Sequence, residues 1–162
     1  MNIERRPNRL KSYDYNQQGY YYLTICTKNR MESFGNISNG KMHLSTMGLI
    51  ADDYWKAIMI HFEKIELDEY IIMPDHIHGI IIVNDDPPIH TTFSDDNDRT
   101  KMVVSKIIHG FKSSVTREIF RQAANSNFGW QKSFYDHIIR NEKELNRIRK
   151  YIIENPIRFT KK

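Results

Sequence analysis

The chain has 162 residues, 40% of them hydrophobic and 27% charged, with 24 Lys and Arg against 20 Asp and Glu for a formal net charge of +4. That is the composition of an ordinary globular protein and enough chain for one domain, 1–162, with a real core. No apolar run reaches the roughly 20 residues of a membrane span, and the basic residues at 1–7 lead into no apolar stretch of the signal-peptide kind. The single cysteine, Cys26, forbids an intrachain disulfide and a cysteine-based zinc cluster, so a reducing, cytoplasmic setting is expected.

Arg5, Arg6, Arg9 and Lys11 cluster near the start, interleaved with Tyr13 and Tyr15. Such an arm suits phosphate contact and base stacking, and it equally suits a solvated terminus. Residues 20–27 (YYYLTICT) are aromatic and β-branched and read as a strand. A turn-rich stretch follows, with Gly35, Asn36, Asn39 and Gly40. Met47, Ile50, Tyr54, Ile58 and Phe62 then recur at helical spacing over 45–62. Residues 65–73 and 76–83 read as two strands joined only by Pro74-Asp75, a tight antiparallel hairpin. Residues 84–101, with Pro87-Pro88 and the acidic Asp95, Asp96 and Asp98, lack periodicity and are expected to be a mobile surface loop.

A second amphipathic helix is marked by Val104, Ile107, Ile108, Phe111, Val115 and Ile119, and residues 128–139 are predicted to be a fourth strand. Asn141, with Glu144 three residues on, opens a last helix, and Pro156 is expected to close it. The order β-α-β-β-α-β defines the fold class: α+β, a ferredoxin-like four-stranded antiparallel sheet with two helices on one face, plus a C-terminal helix. Many activities use that frame.

Two local patterns carry chemistry. In Pro74-Asp75-His76-Ile77-His78 the histidines sit at i and i+2 of a strand, so both leave the same face while Ile77 points into the opposite layer. The pair is either structural or two ligands of one divalent cation, for which neutral imidazole is a common ligand. On the last helix Tyr151 and Asn155 form an i, i+4 pair at the edge of the apolar stripe Leu145, Ile148 and Ile152. An edge tyrosine followed by a helix-terminating Asn-Pro is one reading; a nucleophile beside an amide ligand is the other.

Together these segments resemble the single-tyrosine HUH transposases, and within them the REP-associated tyrosine transposase family. The likeness rests on four ordered stretches, RRPNRL with YYYLTICTKNR, MPDHIHGIIIV, IIHGFKSSVTREI, and WQKSFYDHIIRNEKEL with YIIENP, and covers essentially the whole chain. It implies that Tyr151 is the nucleophile, with Tyr135 in SFYDHIIR as rival, and that Asn155 joins His76 and His78 around Mg²⁺ or Mn²⁺. It further implies metal-dependent nicking and strand transfer of single-stranded DNA through a 5′-phosphotyrosine intermediate, on hairpin-forming repeats, by a monomer or homodimer. Arg5, Arg6, Arg9, Lys112, His137 and Arg140 are the expected DNA contacts. The alternatives are a non-catalytic ferredoxin-like nucleic-acid-binding protein, whose tyrosines in YYYLTICT would stack bases, and a hydrolase of small phosphoesters.

Overall fold

The structure, a computed structural model, describes residues 19–84 and 103–160. The arm with Arg5, Arg6 and Arg9 and nearly all of the expected loop at 84–101 lie outside the described residues. Four strands form the main sheet: β1 (Gly19–Cys26), β4 (Ile65–Ile72), β5 (His76–Val83) and β6 (Tyr135–Ile139), in the order β4-β5-β1-β6 with every neighbouring pair antiparallel. The helices are α1 (Thr46–Lys56), the one-turn α2 (Ile58–His61), α3 (Val103–Gln122) and α4 (Glu142–Phe159). The expected helix over 45–62 is therefore split at Ala57, with the Ser45 hydroxyl capping its start by accepting from the Gly48 N–H.

Strand alternation assigns the two faces of the sheet. Tyr21, Leu23 and Ile25 of β1, Ile77 and Ile81 of β5 and Ile138 of β6 pack in the larger core with Trp55 of α1 and Ile107, Phe111 and Val115 of α3. Gly79 belongs to this face, and a Cβ there would lie 2.3 Å from the Trp55 ring, so the indole occupies the space that a side chain would fill. The opposite face carries Ile80 and Ile139 under Leu145, Ile148 and Ile152 of α4. The expected stripe of the last helix is the one buried. At roughly 1.5–3 kcal/mol per fully buried side chain, these five residues hold α4 far less firmly than the larger core holds the rest.

Three expectations are corrected. The turn-rich stretch contains a second sheet, β2 (Gly35–Ser38) paired with β3 (Lys41–Leu44). Asn39 (φ 52°) and Gly40 (φ 70°) make its two-residue turn, the left-handed pairing that an Asn-Gly hairpin requires. The fourth strand is shorter than 128–139. Phe128 and Trp130 pack with Phe34 instead of alternating, Trp130 Nε1 donates to the Lys112 carbonyl and the Thr116 hydroxyl of α3, and only a Thr27–Trp130 bridge precedes β6. Finally, Pro156 does not close α4. The helix runs through Asn155 and Pro156 to Phe159, Pro156 is buried, and α4 lies against β3 of the hairpin. Tertiary packing there outweighs a helix-interior proline cost of about 3 kcal/mol.

Candidate active site

The face of the sheet under α4 gathers the chemistry. Register places Ile71 of β4, His78 of β5, Thr24 of β1 and Tyr135 of β6 in one row across the sheet, with Cys26 opposite His76 at the end of β5. His76 and His78 are 5% and 6% exposed, and their Nε2 atoms stand 3.0 Å apart. Two nitrogens bound at 2.0–2.1 Å to one small cation at a right angle lie about 3 Å apart, so the pair has the spacing of two ligands of one ion.

Each ring is held by its other nitrogen. His76 Nδ1 lies 2.5 Å from Asp75 Oδ1, and Asp75 Oδ2 receives Arg30 Nε at 2.9 Å. His78 Nδ1 lies 2.9 Å from both the Tyr22 and the Thr24 hydroxyls. A metal-binding histidine ordinarily uses its second nitrogen in this way. Burial first, then the neighbouring His76 and Arg30, pushes His78 down to about 3, so it is a neutral imidazole throughout the physiological range. Tyr22 is pushed up to about 12, chiefly by burial, against the lowering effect of its Thr24 hydrogen bond, with Tyr151 and Tyr135 adding; it remains a hydroxyl.

Tyr151 reaches this group from α4. Its ring meets His78 edge-on at 5.5 Å, it is 38% exposed, and the Arg158 guanidinium stands over it at 5.5 Å. Asn155, one turn later, is buried, and its amide makes no side-chain hydrogen bond among the described residues. Tyr135 stands farther along the row, its ring edge-on to Tyr22 at 6.2 Å. Of the two tyrosines, Tyr151 is the one with a ring contact to His78.

The other expected contacts are placed as follows. His137 Nε2 lies 2.5 Å from Glu144 Oε1, while Glu144 Oε2 accepts the Arg140 backbone N–H and the Glu144 N–H donates to the Asn141 side chain. The capping pair expected at the start of α4 thus also ties the helix to β6. Those two hydrogen bonds, the Arg140 N–H ahead of the His137 one, together with the charges of His137 and Arg147, hold the Glu144 carboxyl below its ordinary range. Arg140 is exposed. Lys112 Nζ donates to the Gln131 and Ser133 carbonyls, where it braces the chain leading to β6. Asp75, Arg30, Tyr22 and Thr24 were not singled out from sequence. The signal available for Asp75 was its place immediately before the first histidine.

A four-stranded antiparallel sheet with helices packed on it defines an α+β fold that solved structures share. The structure of a REP-associated tyrosine transposase bound to a REP hairpin superposes with a TM-score of 0.55 over 98% of this chain and 74% of that one, at 18% identity. A candidate transposase from Deinococcus radiodurans R1 superposes with a TM-score of 0.51 over 91% and 96% of the two chains, also at 18% identity. In sequence the chain is 35% identical over 160 residues to an uncharacterized protein of Haemophilus influenzae Rd, covering 94% of this chain and 88% of that protein. The chain belongs to the same family as this Haemophilus influenzae protein. No family model matches the chain. At 18% identity these superpositions show a shared fold.

Proposed function

We propose that the chain cuts single-stranded DNA and passes the cut strand to a new 3′-hydroxyl through a 5′-phosphotyrosine link at Tyr151. The strand order β4-β5-β1-β6 is read as the ferredoxin-like frame of that enzyme class. One observation carries the proposal: the Tyr151 ring rests on His78, whose Nε2 faces the Nε2 of His76. His76, His78 and Asn155 are the residues that would hold a divalent cation, Mg²⁺ or Mn²⁺. Such an ion polarises a scissile phosphate and stabilises the charge developing on it.

The residues divide the remaining work. The Tyr151 oxygen forms a bond to phosphorus while the bond from phosphorus to the DNA 3′-oxygen breaks; the phenol gives up its proton and the departing oxygen gains one, ending as a 3′-hydroxyl. One phosphate ester replaces another, so another 3′-hydroxyl can reverse the step without a nucleotide cofactor. Tyr151 suits this because one side meets the buried His78 while the ring remains partly exposed. Arg158 puts positive charge beside the Tyr151 ring, where it attracts an approaching phosphate. Arg5, Arg6, Arg9 and Arg140 supply further phosphate contacts, which position DNA without reading its sequence. The likeness to a transposase bound to a REP hairpin supports a hairpin with single-stranded flanks as substrate.

The test is incubation with such hairpins in Mg²⁺ or Mn²⁺, followed by denaturing electrophoresis. The expected result is a covalent protein–DNA adduct that chelator abolishes. Binding with no adduct under either metal would leave a passive nucleic-acid-binding domain and overturn the proposal.

A further inference from the structure

We infer that Asp75, oriented by Arg30, is the positioning residue that sets the His76 tautomer and so presents its Nε2 lone pair. The inference rests on the reading of His76 as a metal ligand. A bare ring nitrogen and a carboxylate would repel at 2.5 Å, so Nδ1 carries a proton that it donates to Asp75 Oδ1, with Arg30 Nη2 a more distant 3.5 Å from the same nitrogen; the neutral ring then presents Nε2 as a lone pair. His78 differs. Its Nδ1 faces two hydroxyls, which can donate or accept, so its tautomer is set from the other side, where the His78 Nε2 proton meets the His76 Nε2 lone pair at 3.0 Å.

The carboxylate is itself fixed. Arg30 Nε holds its second oxygen at 2.9 Å, and Arg30 Nη1 reaches Cys26 Sγ at 2.8 Å. The Asp75 carbonyl accepts from the Thr27 N–H at 3.0 Å, and the Pro74 carbonyl accepts from Phe34 N–H at 3.0 Å. The turn before β5 is therefore pinned on both sides.

A second, independent observation is backbone strain. Asn29 (φ 54°, ψ 23°) and Arg30 (φ 56°) are consecutive left-handed residues without a glycine. Asparagine tolerates this region, so the cost, on the order of 1–2 kcal/mol, falls on Arg30. The left-handed turn sets Arg30 where its guanidinium meets Asp75. Strain of this kind, kept in place by its surroundings, is characteristic of functional sites.

The test uses ¹⁵N-histidine NMR on the metal-free protein, with Mn²⁺ titration followed by electron paramagnetic resonance. Wild type is expected to show His76 protonated at Nδ1. Asp75→Asn, close to isosteric, is expected to lose that preference, and Mn²⁺ affinity to fall about 10–100-fold; Arg30→Ala should weaken Mn²⁺ in the same direction, and Asp75→Glu should restore part of the affinity. An unchanged His76 tautomer with unchanged Mn²⁺ affinity in Asp75→Asn would overturn the inference. A variant that merely unfolds would show in thermal denaturation, and Arg30→Ala then provides the tautomer readout. His76→Ala separates the two ideas: if it binds Mn²⁺ as wild type does, the ligand reading itself fails, whereas loss of binding there with no effect in Asp75→Asn defeats only the role of Asp75.

Discussion

Replacing Tyr151 with phenylalanine removes one hydroxyl from a partly exposed ring and leaves its packing on His78 intact. Tyr151→Phe is therefore expected to abolish the DNA adduct while changing stability by no more than about 0.5 kcal/mol, checked by denaturant unfolding. His78 makes a pH prediction. Its pKa of about 3 lies below the unfolded imidazole value of 6.5, so between those values the unfolded chain binds the extra proton. Stability is thus undiminished by this group above the unfolded value and declines as pH falls through that window. The melting temperature should drop on acidification across it, and His78→Asn should lose that part of the decline. Gly79→Ala makes a third prediction. The new methyl would meet a buried indole with nowhere to turn, and overpacking of this kind costs about 1–3 kcal/mol. Calorimetry would read this as a lower melting temperature, and an unchanged one would mean that the Trp55 contact is looser than described.

At the scale of elements, α4 is both the tyrosine carrier and the helix with the smaller apolar contact. The bidentate Arg149–Asp68 ion pair adds a tether to β4, beside the irregularity between Leu67 and Tyr70. The Arg149 hydrogen bonds hold the Asp68 carboxyl below its ordinary range, against the cost of burial. Since its folded value is depressed, the tether contributes at neutral pH and is lost as pH falls into the acid range. A partly exposed pair of this kind contributes about 0.2–1 kcal/mol, so Arg149→Ala should leave the global melting temperature nearly unchanged. Amide exchange in α4 should nevertheless quicken relative to β1 and β5, and equal exchange would contradict the tether.

The same elements show how far sequence carried. Strands β1, β4 and β5 and the stripes of α3 and α4 were legible because apolar periodicity reports the buried face of each. So was the orientation of His76 and His78, since alternation in a strand is geometric. The β2–β3 hairpin was missed although Asn39-Gly40 signals one, because its strands are short and half exposed. The end of α4 was misplaced because burial of Pro156 and the approach of α4 to β3 are long-range features with no local signature. Asp75 and Arg30 were not legible as partners: 45 residues separate them, and only the β1–β5 register and a left-handed turn bring them together.

At the scale of the whole molecule, the sheet has one face given to stability and another to chemistry. The α1 and α3 side is filled by side chains from Trp55 to Ile119, whereas the α4 side keeps His76, His78, Tyr22, Thr24 and Tyr151 together at one end of the sheet. No helix among the described residues is long and apolar enough to cross a membrane. On the proposed reading, His76 and His78 on a central strand would stay fixed, while Tyr151, on a helix with the smaller apolar contact, would adjust to a DNA strand. The most direct measurement is to trap the adduct on a DNA hairpin with Mn²⁺, digest it, and identify the DNA-linked peptide and the linked DNA end by mass spectrometry. The expected result is a 5′-phosphate on the peptide containing Tyr151; a link to Tyr135, or to a 3′-phosphate, would contradict the assignment of Tyr151.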